Sequence, residues 1–367
     1  MRSFPSLPLL ASPLCLAALV ACSRAAVVST AAPTAPTPSA QPATAPSGVT
    51  DADVRRLLGA IADDSMEGRG TATPGSARAA KFIAAELARY GVEPAGDSGF
   101  FQRVPVAFSS RNGVRQLTLL STLAARDSVP SADRANALNV VGVIRGSDPA
   151  LRDQVVLVDA HYDHLGIQHG QAGDSVYNGA DDDASGVVAV MEIARAIAAG
   201  PAPKRTVVVA ATTGEEVGLL GTRWYLQHPA RPLDAMVANL EIEMIGRPDS
   251  LAGGPGRGWL TGFERSTMGD LFRNAGLPIV ADRRLDQQFF MRSDNIAFAE
   301  RGIVAHTLSS YNMHNDYHEP SDDVAHVDFA HMTRLIDVAV RAAHLLADTP
   351  SKLEWKPGGR PEPRNRQ

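Results

Sequence analysis

The chain has 367 residues, 44% of them hydrophobic, enough to bury the core of one large or two modest domains, and its 31 Gly and 25 Pro are too few for a collagen-like or low-complexity protein. Its net charge of −5 is unevenly spread: residues 1–50 contribute +2 and residues 351–367 contribute +3, leaving −10 on residues 51–350. Such an acidic body is poorly suited to neutralising phosphates, so no nucleic-acid partner is expected. The two cysteines, Cys15 and Cys22, both precede it. The body can therefore hold neither a disulfide nor a thiolate metal site, and any metal there must be bound by His, Asp and Glu.

Arg2 and the apolar run from Leu7 to Val20 read as a secretory signal over residues 1–21, too short to span a bilayer. Its end, Leu19-Val20-Ala21-Cys22, resembles the bacterial lipobox, in which cleavage leaves a cysteine that carries lipid. Ser23, in place of Asp, resembles the outer-membrane default of that class. The expectation is an exported protein of the bacterial cell envelope, facing periplasm or exterior, whose membrane contact is a lipid anchor at Cys22. Residues 22–50 are rich in Ala, Pro, Thr and Ser, with Pro33, Pro36, Pro38, Pro42 and Pro46 and no acidic residue. Such a segment cannot bury enough apolar surface to offset its chain entropy and reads as a semi-extended tether.

From residue 51 to about 350, short β-branched runs alternate with helical ones. Helical spacing over Ala77 to Tyr90, closed by Gly91, predicts a helix with a glycine cap, and Gly186 to Ala199 predicts another. Asn139 to Ile144, Val155 to Val158, Thr206 to Ala210, Ala235 to Ile242 and Ile303 to Ala305 are apolar enough for strands covered on both faces. The alternation predicts an α/β fold: a mostly parallel mixed central sheet with helices on both faces. Residues 351–367, with Pro357, Gly358, Gly359, Pro361 and Pro363, read as a disordered tail.

Ligand sites in such folds lie beyond the carboxyl ends of the strands, and here those ends carry ionisable groups. His161-Tyr162-Asp163-His164 follows the second of these strands, Asn178 to Gly186 contains Asp181-Asp182-Asp183, Glu215-Glu216 follows Thr213-Gly214, Glu243 closes an apolar strand, and His314 to Asp322 follows the last. Each has an ordinary reading alone: a His-x-Asp hydrogen bond, or acidic residues at a helix start. Carboxylates converging on one rim would repel one another by several kcal/mol, and divalent cations would remove that cost.

The order and spacing of His161-x-Asp163, Gly179 to Gly186, Gly214-Glu215-Glu216, Glu243 to Arg247 and His318-x-x-x-Asp322 resemble the co-catalytic di-zinc aminopeptidase family. Glutamate carboxypeptidases, glutaminyl cyclases and the transferrin receptor ectodomain are its relatives. The resemblance extends over most of residues 51–345, including Glu67-Gly68-Arg69-Gly70. It implies a catalytic domain over residues 51–350 with two zinc ions, replaceable by Co²⁺ or Mn²⁺, at the carboxyl ends of the strands. His161 and Glu243 would bind one ion, Glu216 and His318 the other, and Asp181 would bridge them. Position 243 is more often Asp in this family, and Glu241 and His314 compete with Glu243 and His318. Asp163 would accept a hydrogen bond from the far nitrogen of His161. The family also implies a cis peptide after the bridging residue, here Asp181-Asp182.

By the same resemblance, Glu215 would be the general base acting on a water shared by the two ions, and Tyr317 would polarise the scissile carbonyl. The reaction implied is removal of the N-terminal residue from a peptide with a free amino terminus. The segment from Arg283 to Ser293 is expected near the substrate side chain, and Asp294 in a structural role. Gly96-Asp97-Ser98-Gly99 looks like a serine-protease motif but has no preceding histidine, and a zincin signature, a P-loop and a dinucleotide fingerprint are absent. The alternatives are a single-zinc glutaminyl cyclase-like enzyme and a non-catalytic, receptor-like ectodomain.

Overall fold

The computed structural model describes residues 48–170 and 173–363. The export signal, Cys22 and residues 22–47 of the tether lie outside the described residues. Thr50 accepts a hydrogen bond from the Asp53 amide and so caps the first helix, α1 (Asp51–Ile61). Helix α2 (Pro74–Arg89) begins three residues earlier than its periodicity indicates, because Thr73 caps it and Pro74 supplies a preset first turn. The next strands are β1 (Glu93–Pro94), β2 (Phe101–Arg111) and β3 (Val114–Leu119), then helix α3 (Leu123–Asp127), β4 (Arg134–Ile144) and β5 (Val155–His161). A short hairpin of β6 (Gly166–Ile167) and β7 (Val176–Tyr177) precedes α4 (Gly186–Ala199), β8 (Thr206–Thr212), α5 (Leu220–Tyr225) and β9 (Met236–Ile242). The chain closes with β10 (Gly258–Leu260), α6 (Thr267–Asn274), β11 (Ile279–Ala281), α7 (Asn295–Glu300), β12 (Val304–Ser309) and α8 (Phe329–Asp348).

The main sheet runs β11-β10-β12-β9-β5-β8-β4-β2-β3, with β1 on β4. It is mixed: β12, β9, β5 and β8 are mutually parallel at the centre, and β4, β2 and β3 continue antiparallel on one side. Strand residues alternate between two cores. Val156, Val158 and Ala160 of β5 join one, with Val207, Val209 and Ala211 of β8 and residues of α1, α2, α4 and α8. Val155 and Leu157, with Val208 and Ala210, face the other beside Tyr225 and Phe298. Both faces are thus covered, which is why these strands read as unbroken apolar runs. Each buried valine or leucine among them contributes on the order of 1.5–3 kcal/mol by leaving water.

The C-terminal segment corrects the sequence reading. Residues 351–363 are ordered against the body: Leu353 is in the core, Trp355 Nε1 donates to Gly302 O at 3.0 Å, and Lys356 N donates to Arg265 O at 2.9 Å. The Trp355 ring rests 5.3 Å from His306 and edge-on to Phe290. Its proline and glycine content marks a route without helix or strand, and the packing of one half-buried indole anchors that route. Among the described residues, no helix is long and apolar enough to cross a membrane.

Candidate metal centre

The four central parallel strands end side by side, and their carboxyl ends deliver His161 (last residue of β5), Glu215 and Glu216 (after β8), Glu243 (after β9) and His318 (beyond β12). Two devices hold the loops between them. Arg69 is fully buried and donates to four backbone carbonyls: Tyr162 O at 2.7 Å, Ile61 O at 3.1 Å, Gly179 O at 2.8 Å, and Asn178 O. Burial lowers its guanidinium to about 10 against the pull of Asp322 and Asp182, so it stays charged at neutral pH. Asp322, also buried, accepts the amides of Asp181 and Asp182, each at 3.0 Å, and fixes the wide turn Ala180–Ser185 ahead of α4.

The side chain at the centre of the cluster is Asp182. Its Oδ1 lies 3.3 Å from His161 Nε2, and its Oδ2 lies 3.2 Å from His318 Nε2. His318 Nε2 is also 3.3 Å from Glu216 Oε2. The donor atoms of His161, Asp182 and Glu243 form one group within mutual reach, and those of Asp182, Glu216, His318 and His164 form a second. Asp182 is common to both. His318 and Met244 have left-handed backbones, φ 59° and 50°, a strained conformation that recurs where side-chain aim matters more than backbone ease.

This geometry corrects four expectations. Asp181 is not at the centre: its Oδ1 accepts the Gly246 amide at 2.6 Å and its Oδ2 faces His314 Nε2 at 3.0 Å. The cis peptide is Asp182-Asp183, one residue later than the sequence indicates. The carboxylate of Asp163 does not receive the far nitrogen of His161, which lies 3.1 Å from the Asp163 backbone carbonyl instead. That carboxylate accepts the Thr71 hydroxyl at 2.7 Å and the Glu215 amide at 3.2 Å, tying the end of β5 to the turn after β8. Glu215 and Glu216 sit in that turn, four residues ahead of α5, rather than opening a helix.

The competing candidates are occupied elsewhere. Glu241 is saturated by Ser293, Thr307 and the amides of Asp294 and Asn295 at the start of α7. His314 is spent on Asp181. Asp294 accepts the Thr212 hydroxyl at 2.6 Å, a structural contact at the end of β8. His164, which has no place in the family pattern, joins the second donor group. Its signal was a third ionisable group within four residues of a strand end.

The charges explain what the cluster needs. Burial, reinforced by Glu241, pushes the Glu243 carboxyl up to about 8. Burial likewise raises Asp163 to about 6 and raises Glu215 well above the usual carboxylate range, with Asp294 and Glu243 adding repulsion. Burial opposes charge on His318, but Asp182 and Glu216 outweigh it and push the imidazole up to about 10. Without a cation, His161 and His318 favour the protonated form, which offsets the carboxylates. The Nε2 atoms of His161 and His318 are nonetheless buried without a hydrogen-bond partner, aimed at carboxylate oxygens. Imidazoles and carboxylates converging in this way fit zinc, which takes N and O donors in small numbers.

Beside the cluster is a cavity floored by Asp182, Glu215, Glu216 and Glu243 and walled by Met244, Trp259, Phe289 and Tyr311. Phe289 and Arg292 are the residues of the 283–293 segment that line it. Tyr317 closes one side, its ring stacked on His318 at 3.9 Å.

The fold and donor set define an α/β peptidase-like metal centre, and comparison with known proteins places it. The sequence profile of peptidase family M28 matches residues 139–343, more than half of the chain, and the chain belongs to that family, whose enzymes are zinc-dependent. A vacuolar membrane protease of Talaromyces marneffei is 28% identical over 209 residues, covering 56% of this chain and 20% of that protein. The chain thus spans about a fifth of that curated relative's length. The zinc aminopeptidase BSAP from Bacillus subtilis shares the fold with a TM-score of 0.60 at 14% identity, covering 83% of this chain and 97% of that one. An aminopeptidase from Aneurinibacillus sp. strain AM-1 gives 0.57 at 15% identity, covering 84% and 96%.

Proposed function

We propose that this chain is a two-zinc aminopeptidase that hydrolyses the first peptide bond of substrates with a free amino terminus. The observation that carries this reading is Asp182, whose two oxygens face two separate histidine-led donor groups. His161, Asp182 and Glu243 would hold one ion, and Asp182, Glu216 and His318 the other. Such a pair, when bound, supplies Lewis acidity and a water made nucleophilic near neutral pH.

The protein's own part is proton handling and placement. Glu215 stands beside the donors without joining either group, and its raised affinity for a proton suits a base that takes one from water and returns it to the leaving amine. Asp163 is a positioning residue, since it grips the Glu215 amide. Tyr317, kept protonated by burial and by the charge of Asp182, offers a hydroxyl to the scissile carbonyl. The wall of Met244, Trp259, Phe289 and Tyr311 favours an uncharged side chain at the substrate's first residue.

The test is a panel of aminoacyl-nitroanilides and dipeptides with their amino-blocked counterparts, each with and without chelator. Chelator-sensitive cleavage of the unblocked substrates alone is expected. Cleavage of blocked peptides would refute the aminopeptidase assignment, and one ion per chain with cyclase activity would replace it. On residues 1–22 of the sequence we also propose export and lipid anchoring at Cys22. Cys22→Ser should then release the protein from the membrane fraction, and an unchanged distribution would count against anchoring.

A further inference from the structure

His164 is buried and lies against the same cluster from the side of Glu216. Its Nδ1 is 2.9 Å from Glu216 Oε1 and 3.9 Å from Asp182 Oδ2, and its ring meets that of His318 edge-on at 5.5 Å. Four donor atoms, from His164, Asp182, Glu216 and His318, therefore fall within 4.8 Å of one another, against three on the other side from His161, Asp182 and Glu243. Room for the ring is built into the backbone. Gly179 adopts φ +54°, and a Cβ there would come within 2.5 Å of the His164 ring. The His164 Nε2 has no partner that would fix the ring's tautomer, so Nδ1 can present its lone pair to a cation instead of a proton to Glu216.

We infer that His164 is a fourth protein donor on the Glu216–His318 side, which makes the two zinc positions unequal. The inference rests on the two-ion reading above. A position with four protein donors is closed and binds tightly, whereas one with three keeps a place open for water or substrate. The open position falls on the His161–Glu243 side. The first zinc equivalent would then be held by His164, Asp182, Glu216 and His318, and the second would load more weakly on His161, Asp182 and Glu243.

The test is zinc titration of the metal-free full-length chain against a chromophoric chelator, for wild type, His164→Ala and His164→Asn. Wild type is expected to load in two steps separated by at least about tenfold in affinity. Both variants should lose affinity in the tighter step by more than the roughly 10–100-fold that loss of an outer hydrogen bond costs, with the weaker step unchanged. Wild-type titration curves for both variants, or rescue by Asn, which can still donate to Glu216, would overturn the ligand role while leaving two ions in place. A wild-type chain that binds a single ion would overturn the two-ion reading itself. A second measurement needs no variant: wild type with one equivalent of Co²⁺ should show two hyperfine-shifted imidazole N–H resonances, and a single one would contradict the inference.

Discussion

Arg69→Met should be among the most damaging single substitutions in the chain, although residue 69 touches none of the donor atoms directly. The substitution keeps length and apolar bulk but removes four hydrogen bonds to the carbonyls of Ile61, Tyr162, Asn178 and Gly179. Each bond from a charged donor is worth about 1.5–3 kcal/mol, and the desolvation of a fully buried guanidinium offsets part of that sum. A net of about 1 kcal/mol per orphaned carbonyl gives a loss of about 4 kcal/mol, within the range expected when one partner of a buried charged network is removed. At about 1.5 °C per kcal/mol for a domain of roughly 310 residues, the melting temperature of the metal-free protein should fall by about 6 °C. Metal affinity should fall with it, because Tyr162 O and Gly179 O flank the segments that carry His161 and Asp182. Thermal and urea unfolding followed by circular dichroism measure the first effect, and equilibrium dialysis with zinc the second. Arg78→Met is the control: its ion pair with Glu67 is about 40% exposed on both sides and should be worth under 1 kcal/mol. A loss below about 1 kcal/mol at Arg69 would refute the reasoning.

Three further outcomes follow from the same contacts. Glu86 is raised by burial but held at about 2 by hydrogen bonds from Arg56, Arg89 and Tyr90, so its contribution is complete above the ordinary value near 4.5 and vanishes as pH falls toward 2. Allowing for the half-exposed arginines, Glu86→Gln should cost about 2 kcal/mol at pH 6 in urea unfolding and progressively less below pH 4.5, and a cost independent of pH would contradict this. Asp182→Asn should lower zinc content from two ions toward none, whereas Asp181→Asn, which keeps an acceptor for the Gly246 amide, should retain both. The reverse pattern in elemental analysis would restore the bridging role to Asp181. Gly179→Ala should destabilise by about 2–3 kcal/mol in thermal unfolding and disturb metal binding, since a Cβ there meets Asp182 O and His164. Gly113→Ala, at a positive φ with open space around it, should cost about 1 kcal/mol, and equal effects at the two glycines would show that steric fit at Gly179 is unimportant.

What was legible in the sequence is what periodicity and residue chemistry encode directly. The central strands announce themselves as unbroken apolar runs because both faces are covered, and the carboxylates and histidines stand out because they follow those runs. The hairpin of β2 and β3 was passed over. It is half-exposed and interrupted by Pro105, although Asn112-Gly113 at its turn is a recognisable hairpin signal. The choice among Asp181, Asp182 and Asp183 could not be made from type or spacing. Three consecutive carboxylates look alike until Asp322 grips two of their amides and Met244 and Gly246 donate to the flanking pair. Arg69 was legible as part of a motif but not as the residue that ties three loops together, because its partners are backbone carbonyls with no signature of their own. Trp355 shows the same limit at the other end of the chain, where one half-buried indole anchors a segment whose composition reads as coil.

The most direct measurement of the central claim is the turnover of an unblocked peptide by Glu215→Gln loaded to the wild-type zinc content. Glu215 belongs to neither donor group, so metal content should be unchanged while the rate of N-terminal residue release falls by about 10²–10⁴-fold. A fully loaded Glu215→Gln enzyme that turns over at the wild-type rate would contradict the account.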